Sequence, residues 1–94
     1  MPQDRSQQIT KSPPALRILF FSTSRVLTGK AETSISCTGP LDESGLWKIL
    51  LATHPQLAGI REQIRLARNG EFSKIGERFE PGDEVAVIPP VSGG

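Results

Sequence analysis

The sequence predicts an α+β fold in which a mixed sheet of four to five strands packs on one main helix. Three observations carry that expectation. The apolar runs Ala15–Phe21 and Glu84–Ile88 lie near the two ends of the chain and have the length of strands rather than helices. Between them, Leu46, Trp47, Leu50 and Leu51 fall on one face at helical spacing. Asn69-Gly70 is a strong signal for a tight hairpin, because both residues tolerate positive φ.

Taken in order, Met1 to Pro14 is polar and proline-containing and reads as a disordered leader. Asp4 and the lack of an Arg-rich amphipathic pattern argue against an organelle transit peptide. The run from Ala15 to Phe21 is the first strand, apolar on both faces. Ser22 to Thr28 has room for a helical turn that Gly29 ends, and Glu32 to Cys37 is the second strand. Gly39-Pro40 makes a turn. Asp42 or Ser44 caps the main helix, and Pro55 marks its stop. Leu57 to Glu62 is a second short helical piece. Ile64 to Arg68 is the third strand and Glu71 to Ser73 its short return, while Glu80 to Asp83 turns into the last strand, Glu84 to Ile88.

The first and last strands are apolar at successive positions, so each has two faces to cover. Ile18, Phe20, Val85 and Val87 are assigned to the helix. Leu19, Phe21, Ala86 and Ile88, joined by Phe72, are left on the other side. A register slip of one residue would exchange the two sets.

With 94 residues the chain has room for one core. Its 11 basic and 10 acidic residues are not gathered into a run, and they imply neither nucleic acid nor an anionic membrane surface as a partner. No apolar stretch has the length of a membrane span, and no secretory signal precedes the first strand. A single cysteine, Cys37, fits a reducing compartment, so a soluble cytosolic protein is expected. No metal-ligand cluster, phosphate-cradling loop or nucleophile–base pair is legible.

The chain closes on Pro89-Pro90-Val91-Ser92-Gly93-Gly94. Two prolines favour a stiff polyproline II spacer without N–H donors, expected to project from the sheet as a tail spanning residues 89–94. Two glycines make a tip without Cβ atoms that can enter a slot closed to other residues. Six extended residues reach about 20 Å. A tethered carboxylate, inserted into another protein's active site, is the physical suggestion.

These residues resemble a known family. Ile18-Leu19-Phe20-Phe21, the Leu46-Trp47 helix, Arg68-Asn69-Gly70-Glu71-Phe72 and, above all, Pro81-Gly82-Asp83-Glu84-Val85-Ala86-Val87-Ile88 leading into the tail are similar to the small, sulfur-carrying subunits of molybdopterin synthase. The resemblance implies a β-grasp, ubiquitin-like domain over residues 15–88. It also implies that the carboxylate of Gly94 is adenylated by a ubiquitin-activating-like adenylyltransferase and sulfurtransferase, with ATP bound in trans, and converted to a thiocarboxylate. The tail, Pro89 to Gly93, is then threaded into the large synthase subunit, which holds the catalytic site, and the sulfur passes to cyclic pyranopterin monophosphate. Two small subunits on a large-subunit dimer, no cofactor or metal held by this chain, and no enzyme activity on its own complete the expectation.

The resemblance places Phe21, Phe72 and Ile88 on the face that meets the large subunit, against the alternative that they are ordinary core. Trp47 is expected in the helix-face core, Cys37 as a small strand residue and not the sulfur carrier, and His54 as a charge favouring the helix end. Rival functions are a ubiquitin-like protein modifier, a carrier for thiamin or tRNA thiolation, and a β-grasp adaptor without carrier chemistry.

Overall fold

A computed structural model describes residues 13–90. Five strands form one mixed sheet: β1 (Ala15–Phe20), β2 (Glu32–Ser36), β3 (Arg65–Arg68), β4 (Glu71–Phe72) and β5 (Glu84–Ile88), in the order β2-β1-β5-β3-β4. The central pair, β1 and β5, is parallel, and every other pairing is antiparallel. Helix α1 (Ser22–Thr28) joins β1 to β2. Helix α2 (Glu43–Thr53) and a 3₁₀ segment (Pro55–Gln63) join β2 to β3. This is the α+β, β-grasp arrangement that the sequence predicts.

Local chemistry explains the boundaries. α1 ends on Gly29, whose φ of 74° is the left-handed conformation a helix stop favours. α2 begins at Asp42, whose carboxylate accepts the Gly45 N–H at 2.7 Å and so satisfies one orphan donor of the first turn. The β3–β4 hairpin turns on Asn69 and Gly70, with φ of 50° and 90°. Asn69 also ties this turn to the start of β5: its N–H meets the Glu84 carbonyl at 2.8 Å, and its side-chain oxygen accepts the Glu84 N–H at 2.9 Å.

One face of the sheet packs on α2 and the 3₁₀ segment. Leu16, Ile18, Phe20, Ile35, Leu66, Val85 and Val87 from the strands meet Leu46, Trp47, Leu50 and Leu57 in one buried cluster. Fully burying a large side chain of this kind contributes about 1.5–3 kcal/mol. Cys37 is buried just past β2, with its thiol 2.8 Å from the Gly39 carbonyl, and Trp47 is in the core as expected. Phe79, which no periodicity marks, is fully buried as well. A single bridge to Leu41, at 2.8 and 2.9 Å, pins its backbone there.

His54 departs from its expected role. It terminates α2 but does not present a charge there. Its ring is buried 5.2 Å from that of Phe20, and its Nδ1 lies 3.0 Å from the Thr53 hydroxyl. Burial first, and the nearby Lys30 charge second, lower its pKa, so the neutral imidazole is favoured.

Candidate functional site at the root of the tail

The second face of the sheet has no covering element among the described residues. Its side chains form rows across the strands, set by the pairing register. In one row Glu32, Leu19, Ala86, Ala67 and Phe72 lie side by side. The next row toward the tail contains Ile88 opposite Arg65. Phe21, in extended backbone directly after β1, carries the alternation one residue further and is 45% exposed. On the side away from the tail the surface becomes charged. Arg17 bridges Glu32 at 3.0 Å and Glu84 at 3.2 Å, across three strands. Those carboxylates raise the pKa of Arg17, Glu32 most strongly, so it stays a cation at any pH the fold survives.

The apolar rows therefore adjoin the point where β5 becomes the tail. Gln63, Arg65, Phe72, Ile88, Pro89 and Pro90 line a shallow recess of about 220 Å³ there. Phe72 is half exposed, and the Arg65 guanidinium lies 3.9 Å from its ring centroid, a cation–π contact. Of the residues expected to meet a partner, Phe72 and Ile88 share this recess. Phe21 sits on the same face but outside it. None of the three belongs to the buried cluster. The core alternative for them fails because that cluster occupies the other face.

Pro89 is buried, whereas Pro90 is exposed. The two prolines were expected to project together, but Pro89 stays buried at the end of β5, where it helps to line the recess. Pro90 is thus the first residue clear of the sheet. Val91, Ser92, Gly93 and Gly94 lie outside the described residues, as does the leader up to Ser12.

The turn before β5 is held by a polar knot. Asp83 accepts from the Arg68 Nε at 2.6 Å, the Glu80 N–H at 2.8 Å and the Asn69 amide at 3.0 Å. Arg68 also reaches Glu77 at 3.0 Å. Burial works against ionisation of Asp83, but these donors outweigh it and hold its carboxyl below the usual value. The pairing Arg17↔Glu84 and the Arg17 N–H to the Asp83 carbonyl, at 3.0 Å, bind the same turn to β1. The strand that ends in the tail is thus fixed at its start as well as along both edges.

Sequence reasoning missed Arg65 and Gln63, which help to form the recess. A signal for Arg65 existed in the hairpin, whose alternation sets Arg65 and Ala67 on one face and leaves Ala67 opposite Phe72. Among the described residues no three His, Cys, Asp or Glu side chains gather where they would hold a metal ion, and no helix is long and apolar enough to cross a membrane.

Comparison with known proteins gives consistent matches. The ThiS family model matches residues 18–94. The molybdopterin synthase sulfur carrier subunit of Homo sapiens is 39% identical over 82 residues, covering 84% of this chain and 93% of that protein. The crystal structure of SAMP1 from Haloferax volcanii superposes with a TM-score of 0.74 at 27% identity, over 85% of this chain and 99% of the other. That of the H. volcanii small archaeal modifier protein 1 gives 0.72 at 25% identity, over 83% and 99%.

Proposed function

The chain belongs to the ThiS family, and from that premise we propose that it is the sulfur-carrier subunit of a molybdopterin synthase. The observation that carries this reading is the pair of uncovered apolar rows converging on the strand end from which the tail leaves. A docking face beside a narrow C-terminal tail suits a protein that binds a partner and inserts its end into that partner's site. The named human relative, similar along nearly its whole length, supports the same reading.

The chemistry takes place at Gly94. A carboxylate is a poor acceptor for sulfur because its leaving group is poor. An adenylyltransferase that binds ATP joins the carboxylate to AMP and releases pyrophosphate. Sulfur at the oxidation level of sulfide then displaces AMP and leaves a thiocarboxylate. The charged carrier docks through Phe72, Ile88 and Phe21 on the large synthase subunit and threads Pro90 to Gly94 into the catalytic site there. Tethering raises the effective concentration of the sulfur nucleophile. Sulfur bonds to cyclic pyranopterin monophosphate, and water opens the remaining acyl–sulfur bond, returning Gly94 as a carboxylate. Two such transfers make the dithiolene. The carrier contributes no general base and no cofactor, works in the cytosol, and assembles as two small subunits on a large-subunit dimer.

Likeness to a small archaeal modifier protein favours one second reading, in which the same activated glycine is joined to lysine amines. Intact mass after incubation with activating enzyme, ATP and a sulfur donor separates them. The carrier exchanges one oxygen for one sulfur. Adducts on lysines of other proteins, with no such exchange, would sink the carrier reading. Gly94→Ala, or one residue added after Gly94, should abolish sulfur transfer and leave the melting temperature unchanged.

A further inference from the structure

The junction between β1 and α1 contains an arrangement that packing alone does not require. Ser22 has a φ of 52°, a region costly for a residue with a side chain. Two residues on, Ser24 is fully buried, although it is a small polar residue on a helix of seven. Its hydroxyl accepts the Phe21 N–H at 3.0 Å. Its single proton is placed between two carbonyls, that of Phe21 at 2.7 Å and that of Val87 at 3.1 Å. The Phe21 N–H itself also faces the Val87 carbonyl, at a long 3.3 Å.

Val87 is the last residue of β5 paired to β1, opposite Phe20. Beyond it, Ile88 has only β3 beside it, and Pro89 and Pro90 have no N–H to give. The Val87 carbonyl is therefore the final anchor on the β1 side before the tail, and its long backbone hydrogen bond is reinforced by one buried hydroxyl. The same hydroxyl holds Phe21, which stands exposed at the edge of the docking face. One side chain thus couples the direction of the tail to the position of a docking aromatic.

We propose that Ser24 is a positioning residue: by clamping the Val87 carbonyl and the Phe21 backbone together, it aims the tail relative to the face that docks. The proposal rests on the carrier reading above. It predicts a loss in transfer rate with docking preserved, because an end displaced at its root arrives misaligned while the apolar rows still bind.

The test uses the full-length chain prepared as its thiocarboxylate by cleavage of an intein fusion with sulfide, which bypasses activation. Single-turnover loss of sulfur is measured at saturating large subunit, and affinity is measured separately. Ser24→Ala should slow transfer by about tenfold or more, with the dissociation constant within about threefold of wild type. Asp42→Ala, which removes the α2 cap and a similar increment of stability, is the control and should leave both unchanged. Equal slowing by the two variants, or wild-type transfer by Ser24→Ala, overturns the proposal. Should Ser24→Ala not fold, Ser24→Cys, similar in size but a weak donor, replaces it with the same expected loss. If the wild-type thiocarboxylate delivers no sulfur, the carrier reading itself fails. Amide exchange then judges the clamp: faster exchange of the Phe21 N–H in the variant upholds it, and unchanged exchange refutes it.

Discussion

The two faces of the sheet are built from similar residues and meet different fates. Ile18, Phe20, Val85 and Val87 face α2 and are 0–2% exposed. Leu19, Ala86, Ile88 and Phe72, one residue out of phase, face no element of the described chain and stay partly or half exposed. Apolarity alone therefore does not make core; a covering element does. A strand that is greasy on both sides needs two covers. The described residues supply one, and the reading proposed above gives the second face to a partner.

Adjacent residues of β5 give the sharpest way to break that contrast. Val87→Asp buries an unpaired carboxylate against the α2 core and should abolish cooperative unfolding by circular dichroism. Ile88→Asp should keep the melting temperature within a few degrees and weaken binding to the large subunit by at least about tenfold in a calorimetric titration. If the two variants unfold alike, the outer face is core after all.

Phe79→Ala probes whether the inner face extends beyond its periodic elements. Removal of a fully buried phenyl ring should cost about 3–5 kcal/mol in urea denaturation, without changing partner affinity once folded. A cost below about 1 kcal/mol would mean the loop collapses around the site.

A smaller effect is expected from Asp83. Its folded pKa lies below the ordinary 3.8, so the stability it contributes is fully present above that value and lost as pH falls through the folded pKa. Asp83→Asn should flatten stability against pH in that acidic window and shift nothing at neutral pH except a uniform loss. A wild-type slope surviving in the variant would assign the acid sensitivity to other carboxylates.

His54 should give the smallest signal. Its folded pKa is below 6.5, so its contribution is complete above pH 6.5. Below that, the unfolded chain takes up a proton that the folded chain resists, and stability declines until the folded pKa is reached. His54→Phe keeps a ring against Phe20 and should remove less than one proton from the uptake on unfolding near pH 6, measured from the pH dependence of denaturant midpoints. An unchanged dependence would place the imidazole in solvent.

Where local rules agreed, the fold was legible. Gly29, Asp42, Asn69-Gly70 and Pro55 each mark a boundary by their own backbone or side-chain chemistry, and the assignment of Ile18, Phe20, Val85 and Val87 to the helix side follows from alternation in two strands that share a register. Long-range pairing was not legible. Phe79 sits in a loop whose only signal is a bridge to Leu41, 38 positions earlier in the chain. The Asp83 knot depends on Arg68 and Asn69, which only the folded hairpin brings near. His54 was misjudged because a helix end suggests a place for charge, and only the packed ring of Phe20 reveals that the place is dry. Nothing in the sequence marks Ser24, because the Val87 carbonyl that its hydroxyl meets lies 63 positions further along the chain.

The parallel pairing of β1 with β5 has a consequence for how the protein is made. The two central strands are the first and last in sequence, and Ile18 must find Val85 across almost the whole domain. Such non-local closure is slow and comes late. Because β5 lies between β1 and β3, the pairs β2-β1 and β3-β4 cannot join into one sheet without it. A prematurely terminated chain lacks its keystone strand and is exposed to proteolysis. Only a chain complete through Ile88 can close this sheet, so folding itself checks that the strand at the root of the tail is intact.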